Sequence, residues 1–200
     1  ITYNFEEDII ASAKTICKRY KGNQAHAEYL EQMAGKFFDL LQKYHGLGER
    51  ERLLLRLAAI LHDCGKFISM SAPGECAYQI IMSTEILGIS HMEREMVACI
   101  VRYNTMELPN FREFDGKLGN DEYLIVMKLA AILRVCNALD RSHRQKFADM
   151  KLTIKDSNIV ITTAYPDNIT LEKKTLKDKQ DFFEEVYGLG FEIKQKKKKQ

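Results

Sequence analysis

The 200-residue sequence has no CxxC pair, no apolar run long enough to cross a bilayer, and almost no net charge. Each absence narrows what the chain does. The five cysteines, Cys17, Cys64, Cys76, Cys99 and Cys136, are odd in number and mostly sit in apolar helical surroundings. They read as reduced, buried thiols of a cytosolic protein, not as a disulfide frame or a zinc ribbon. No run approaches the roughly 18 apolar residues of a transmembrane helix, and no signal-peptide pattern opens the chain. A net charge of +2 makes no global demand for nucleic acid or a membrane surface. The charge is uneven, however: residues 171–200 hold nine lysines against six acids, and the remaining residues carry 21 basic and 22 acidic side chains. There is no internal repeat. The first residue is Ile, not Met, which fits a processed product or an excerpt of a longer chain.

What is present is 46% hydrophobic content, enough for a sizeable core and one or two domains. Apolar residues at helical spacing predict helices over 6–20, 24–45, 49–63, 76–87, 91–103 and 122–142. The second carries a stripe of Leu30, Met33, Phe37, Leu40, Leu41 and Tyr44. HGLG (45–48) ends it, with glycine as the cap. The third is apolar on nearly every side in its second half, as a central helix would be. SMSAPGE (69–75) is a break. Ser90 with Glu93 three residues later forms a capping box for 91–103. MELPNFREFDGKLGND (106–121) reads as a surface loop. Beyond residue 148 the pattern changes. MKLTIKDSNIVITTAY (150–165) alternates around Asp156-Ser157-Asn158 as a hairpin would, 170–187 is helical, and FEIKQ (191–195) suits a short strand. The expected fold is mainly α: a helical bundle over 1–148, then a small α+β appendage over 149–200 with a Lys-rich tail at 196–199.

Three of these helices carry polar residues on apolar stripes. Leu129, Ile132, Leu133 and Cys136 share a face, and the next position on it, i+11, is Asp140. His26 precedes Tyr29, Leu30, Met33 and Phe37 on the buried stripe of helix 24–45. Leu55, Ala58, Ala59 and His62 share a face of helix 49–63, with Asp63 beside them. Two imidazoles and two carboxylates, His26, His62, Asp63 and Asp140, suit one divalent cation such as Mn²⁺, Fe²⁺, Zn²⁺ or Mg²⁺. The cation would remove the penalty of burying two carboxylates and could acidify a water for attack on phosphorus. Each residue also has a plainer reading. An inward histidine can be a hydrogen-bonded core residue. A buried aspartate at a helix end can cap a neighbouring helix or pair with an arginine, and Arg134, Arg141 and Arg144 all lie near Asp140.

The order H…HD…D resembles the signature of the HD superfamily of metal-dependent phosphohydrolases, and HDCGK (62–66) its HD-x-G-K form. Longer blocks narrow the match. RERLLLRLAAILHDCGKFIS (50–69), STEILGIS (83–90), VACIVRY (97–103), LAAILRVCNALDRSHRQK (129–146) and LEKKTLKDKQDFFEEVYG (171–188) resemble the C-terminal half of the exopolyphosphatase/guanosine pentaphosphate phosphohydrolase family. The resemblance covers essentially the whole chain. It implies an HD-type helical domain plus a small C-terminal appendage. It also implies removal of terminal phosphate from long polyphosphate or guanosine pentaphosphate, by an N-terminal pair of actin-like, Gly-rich phosphate-binding domains. Nothing in this sequence resembles those domains, so the chain is expected to be the C-terminal module, either as a fragment or as a stand-alone relative. It also departs from the family where a histidine-rich HHKH-like stretch and a later histidine are usual: here those places read SAPGECAY (71–78) and VRYNTM (101–106), with Cys76 and Asn104. A two-metal centre is therefore not expected.

Three functions compete at this point. As a stand-alone HD phosphohydrolase acting on a phosphate ester or nucleotide, the chain would hold one metal at His26, His62, Asp63 and Asp140. Asp63 and Lys66 would be catalytic, and Lys66, Arg141 and Arg144 would bind substrate phosphate. As a non-catalytic module, it would contribute polyphosphate binding or a homodimer interface to a cytoplasmic enzyme whose upstream domains do the chemistry. Nucleic-acid binding would use KKKK (196–199) with Lys173, Lys174, Lys177 and Lys179. Interleaved Asp178, Asp181, Glu184 and Glu185 dilute any such stripe, and a terminal charge run is usually only solvated.

Overall fold

The computed structural model describes residues 5–114 and 117–196. Local chemistry sets most helix ends. Helix α1 (Phe5–Arg19) carries three acids in its first turn and two bases in its last, complementing the helix dipole. Helix α2 (Gln24–Leu40) is opened by Asn23, whose side-chain oxygen accepts from the His26 backbone N–H at 3.1 Å. The single helix expected over 24–45 breaks at Leu41. A short α3 (Gln42–His45) follows and stops at Gly46, which takes the left-handed conformation. The break turns Tyr44 off the expected stripe and leaves it 47% exposed.

Helix α4 (Glu49–Leu61) is the central one, with Leu53, Leu54, Leu55 and every residue from Leu57 to Leu61 buried. It ends two residues before the expected boundary, so His62 is its C-cap and Asp63 lies outside it, leading into a 3₁₀ turn over Cys64–Phe67. Gly65 makes that turn possible: a Cβ there would lie 1.9 Å from the Pro73 carbonyl oxygen. Helix α5 (Pro73–Ser83) starts three residues earlier than the apolar pattern suggests, because proline is well suited to the first helical turn.

Helix α6 (His91–Thr105) opens with the expected capping box. Ser90 Oγ accepts from the Glu93 N–H at 3.1 Å, and Glu93 Oε2 accepts from the Ser90 N–H at 2.7 Å. Arg50 of α4 donates to both Glu93 oxygens and to the Gly88 carbonyl. The Arg50 hydrogen bonds pull the Glu93 carboxyl down to about 2, against the opposing effect of burial. Helix α7 (Asn120–Leu139) then crosses the core and ends at Asp140.

Strands β1 (Lys151–Lys155) and β2 (Asn158–Thr163) form the expected hairpin. The two residues between them, Asp156 and Ser157, both have positive φ, as the two-residue turn that best fits strand twist requires. Helix α8 (Thr170–Tyr187) crosses over to β3 (Gly190–Gln195), which lies parallel to β2, so the sheet order is β1-β2-β3. The architecture is the expected helical bundle with a small α+β appendage. The apolar core that fills the bundle continues into Ile159, Ile161, Leu176 and Phe183. Four of the five cysteines are buried as expected, Cys76 only partly. Among the described residues no helix is long and apolar enough to cross a membrane. Residues 197–200, which hold most of the Lys-rich tail, lie outside the described residues.

The packing that positions the site is simple. Helix α2 lies against α4 and α7, and α4 against α7. The start of α2, the end of α4 and the end of α7 therefore meet.

Candidate metal centre

His26 is fixed first by its own backbone: its N–H bonds the Asn23 cap, which sets its side chain on the buried face of α2. His26 and Asp140 are 2% and 1% exposed. Between them runs a hydrogen bond of 2.6 Å, from His26 Nδ1–H to Asp140 Oδ2. The other Asp140 oxygen accepts from the Gln145 N–H at 2.8 Å. Both carboxylate oxygens are thus engaged, and Asp140 stands behind His26 as the group that orients its ring. None of Arg134, Arg141 or Arg144 pairs with it among the described residues. Carboxylate–histidine pairs of this kind fix the tautomer and raise the basicity of the outward nitrogen.

His62 is held in the same way by a different acceptor. Its Nδ1–H donates to the Ala59 carbonyl at 2.7 Å, and burial pushes the ring down to about 4 despite the Asp63 carboxylate beside it. With both Nδ1 atoms donating elsewhere, the two Nε2 atoms face one another at 3.2 Å, a spacing that a shared proton or a shared cation satisfies. Asp63 Oδ1 is also 3.2 Å from His62 Nε2. Facing lone pairs repel unless a positive charge lies between them. For metal–nitrogen bonds of about 2.1 Å, donors in one coordination shell sit about 3.0–3.4 Å apart, so the spacing fits a shared cation.

Asp63 also pairs with Lys66 Nζ at 2.7 Å. Burial raises the Asp63 carboxyl, but the His62 ring and the Lys66 ammonium outweigh it and hold the group below the ordinary carboxylate range. Lys66 is 37% exposed, which places it at the mouth of the centre.

The structure adds a residue that the helical stripes do not reveal. His143 stacks on His26, with ring centroids 3.7 Å apart and planes at 12°. His26, Asp63 and His143 each bring a ligand atom within 4.8 Å of the others, close enough to hold a metal ion between them; His26 is buried, Asp63 half-buried and His143 exposed, and His62 stands outside this group of three. Burial, then the neighbouring His26 ring, push His143 below its ordinary value. His143 lies in the turn after α7, where it and Gln145 both adopt left-handed backbone conformations that cost non-glycine residues roughly 1–3 kcal/mol each. The turn is held by Asp140, whose carbonyl accepts from the His143 N–H at 2.9 Å, and by its side-chain bond to Gln145. Asn23 Nδ2 reaches His143 Nδ1 at 3.5 Å, so the α2 cap holds both the His26 backbone and the His143 ring. One signal in the sequence pointed here: the histidine in DRSHR, three residues after Asp140.

His45 shows the plain alternative. It is buried, donates from Nε2 to the Phe38 carbonyl and accepts at Nδ1 from the Leu47 N–H, so both ring nitrogens are satisfied within the fold. The nitrogens of His26 and His62 that face the centre have no such carbonyl or amide partner.

Of the remaining sequence candidates, Arg144 is exposed beside the centre in sequence. Arg141 points elsewhere, lining a cavity of about 350 Å³ between α6, α7 and α8 that shares no residue with the cluster.

The geometry gives one prediction directly. Asp140→Asn keeps the shape but replaces a pure acceptor, so His26 loses its charged anchor. Mn²⁺ affinity should fall about 10–100-fold by calorimetry while the chain still folds.

No curated protein matches the chain. The family model for Ppx/GppA phosphatase, domain III, matches residues 10–181. That span contains the whole cluster and the helices that carry it, and the chain belongs to the Ppx/GppA phosphatase family through this domain.

Proposed function

We propose that this chain is the phosphate-gripping HD-like module of an exopolyphosphatase/guanosine pentaphosphatase-type phosphohydrolase. One divalent cation, Mn²⁺, Fe²⁺, Mg²⁺ or Zn²⁺, is held by His26, Asp63 and His143, with His62 joining from beside His26 and Asp63 and with Asp140 orienting His26. The observation that carries this reading is the convergence of His26, Asp63 and His143 ligand atoms within 4.8 Å, with the His62 Nε2 3.2 Å from that of His26. A bound cation supplies the positive charge that draws phosphate oxygens in. Lys66, at the mouth, offsets further charge on a polyphosphate or guanosine polyphosphate, and Arg144 lies close enough in sequence to join it. Asp63 and Lys66 thus have different roles: Asp63 anchors the cation and Lys66 meets the substrate. On this reading phosphoryl chemistry belongs to upstream actin-like domains, as the family resemblance implies. The exposed Phe67, Ile68 and Met70, which follow Lys66, give apolar surface for those domains or for a second copy in a homodimer.

The test is calorimetric titration of tripolyphosphate with Mn²⁺ present and again in EDTA. Binding should require Mn²⁺; equal binding in EDTA would remove the cation from the account. The second reading, hydrolysis of a phosphate ester or nucleotide by this chain alone, is favoured by the Asp63–Lys66 pair at the mouth of the centre. Phosphate release from the Mn²⁺-loaded chain, lost in Asp63→Ala, would select it.

A further inference from the structure

A polar cavity lies between α6, α7 and α8. Arg134, Asn137, Ala138 and Arg141 share one face of α7 and its C-terminal turn. Thr175, Asp178 and Lys179 do the same on α8, and the two faces enclose the cavity of about 350 Å³. That volume is within the ordinary range of small-molecule pockets.

Asn104 of α6 lines this cavity, is 4% exposed, and has no hydrogen-bond partner for either amide atom among the described residues. Burying both an unpaired donor and an unpaired acceptor costs stability, and native folds avoid it unless something else supplies the partners. Arg134 is already committed. It donates to the Tyr103 and Met106 carbonyls and lies over the Phe182 ring, closing one wall. Arg141 and Lys179 are exposed and make no ion pair among the described residues, and Asp178 makes none either. The cavity thus offers two uncommitted cations, one carboxylate, and the neutral polar groups of Asn104, Asn137 and Thr105.

We infer that this cavity binds a phosphate monoester of a small hydroxylated compound. Arg141 and Lys179 take the phosphate, Asp178 accepts from a hydroxyl, and Asn104 gives and accepts a hydrogen bond at the buried end. Two cations alone would suit any anion. The carboxylate and the buried amide between them favour a polar body over bare phosphate. The site shares no residue with the His/Asp centre and needs no metal, so its failure would leave the metal reading untouched.

The experiment is calorimetry and thermal melting of the chain in EDTA, with ribose 5-phosphate and with inorganic phosphate as probes. Ribose 5-phosphate should raise the melting temperature and bind at least tenfold more tightly than phosphate. Arg141→Ala and Lys179→Ala, both exposed and so harmless to folding, should each weaken it at least tenfold. Asn104→Leu should stabilise the free chain, by removing the unpaired amide, yet abolish the ligand-dependent rise. Equal affinity for the two probes, ribose 5-phosphate binding unchanged in Arg141→Ala and Lys179→Ala, or Asn104→Leu retaining the full ligand-dependent rise would each overturn the assignment.

Discussion

Asp63→Ala should reduce Mn²⁺-dependent tripolyphosphate binding by more than about a hundredfold, since a lost direct ligand costs at least as much as a lost orienting partner. Asp63 is the one carboxylate among the groups facing the centre, because both Asp140 oxygens are turned to His26 and Gln145. Removing it leaves three imidazoles, which bring no negative charge to offset a divalent cation. Lys66 also loses its partner and with it the position that aims its ammonium at the mouth. The fold should survive. Asp63 starts a 3₁₀ turn without capping it through its side chain, and that side chain is 14% exposed. The measurement is calorimetry with melting curves of the metal-free chains as control. An Asp63→Ala chain that melts normally and still binds tripolyphosphate with Mn²⁺ would move the site away from the cluster.

Lys146→Ala should be the most damaging single change to stability away from the centre. Lys146 is 8% exposed, and its ammonium donates to the Asn168 carbonyl at 2.8 Å and to Glu172 Oε2 at 3.0 Å. Ser142 Oγ donates to the other Glu172 oxygen at 2.5 Å, and Glu172 itself is 0% exposed. This network ties the turn after α7 to the first turn of α8. Truncating the lysine strands a buried carboxylate, which typically costs about 3–5 kcal/mol. For a chain of this length that is a fall of roughly 6–20 °C in melting temperature. Lys146→Met combined with Glu172→Leu should recover much of the loss, because a buried pair replaced as a whole leaves no unpaired charge.

The pH dependence has a definite sign. Burial raises the Glu172 carboxyl, but the Ser142 and Lys146 hydrogen bonds outweigh it and leave it below its ordinary value. A depressed carboxyl contributes stability that is complete above its unfolded value, about 4.3, and lost as pH falls through the folded one. The gap between wild type and Lys146→Ala should therefore narrow in melts taken below that pH.

The helices were legible because their signals are local and redundant. Ser90 and Glu93 announce α6 three residues apart, and the Leu- and Ala-rich half of α4 announces a buried helix. Their ends were harder to read. After α4 the chain turns at Gly65, where the close Pro73 carbonyl leaves no room for a side chain, and Leu41 breaks α2 without a proline or glycine to mark it.

The site followed the same division. His26, His62 and Asp63, which the fold brings together, stand out in the sequence because a polar residue on an apolar stripe is conspicuous. Asp140 was found by extending the α7 stripe to i+11, and it is buried as expected although it caps the helix instead of lying within it. Its place behind His26 was not readable, since periodicity gives the side a residue faces and not which donor it meets. His143 escaped because it belongs to no stripe. It is carried in by a turn with positive φ at His143 and Gln145, set by hydrogen bonds to Asp140 that only the folded chain displays. Arg141 shows the converse: next to Asp140 in sequence, it lines another cavity.

The central claim is that the His/Asp cluster, buried at His26 and His62 and open to solvent at His143, is a single divalent-cation site. The most direct measurement is calorimetric titration of the chelator-stripped chain with Mn²⁺, read for stoichiometry and repeated in His62→Ala. One ion per chain, with binding lost in the variant, is the result this structure predicts. No binding, or two ions per chain with His62→Ala unaffected, would contradict it.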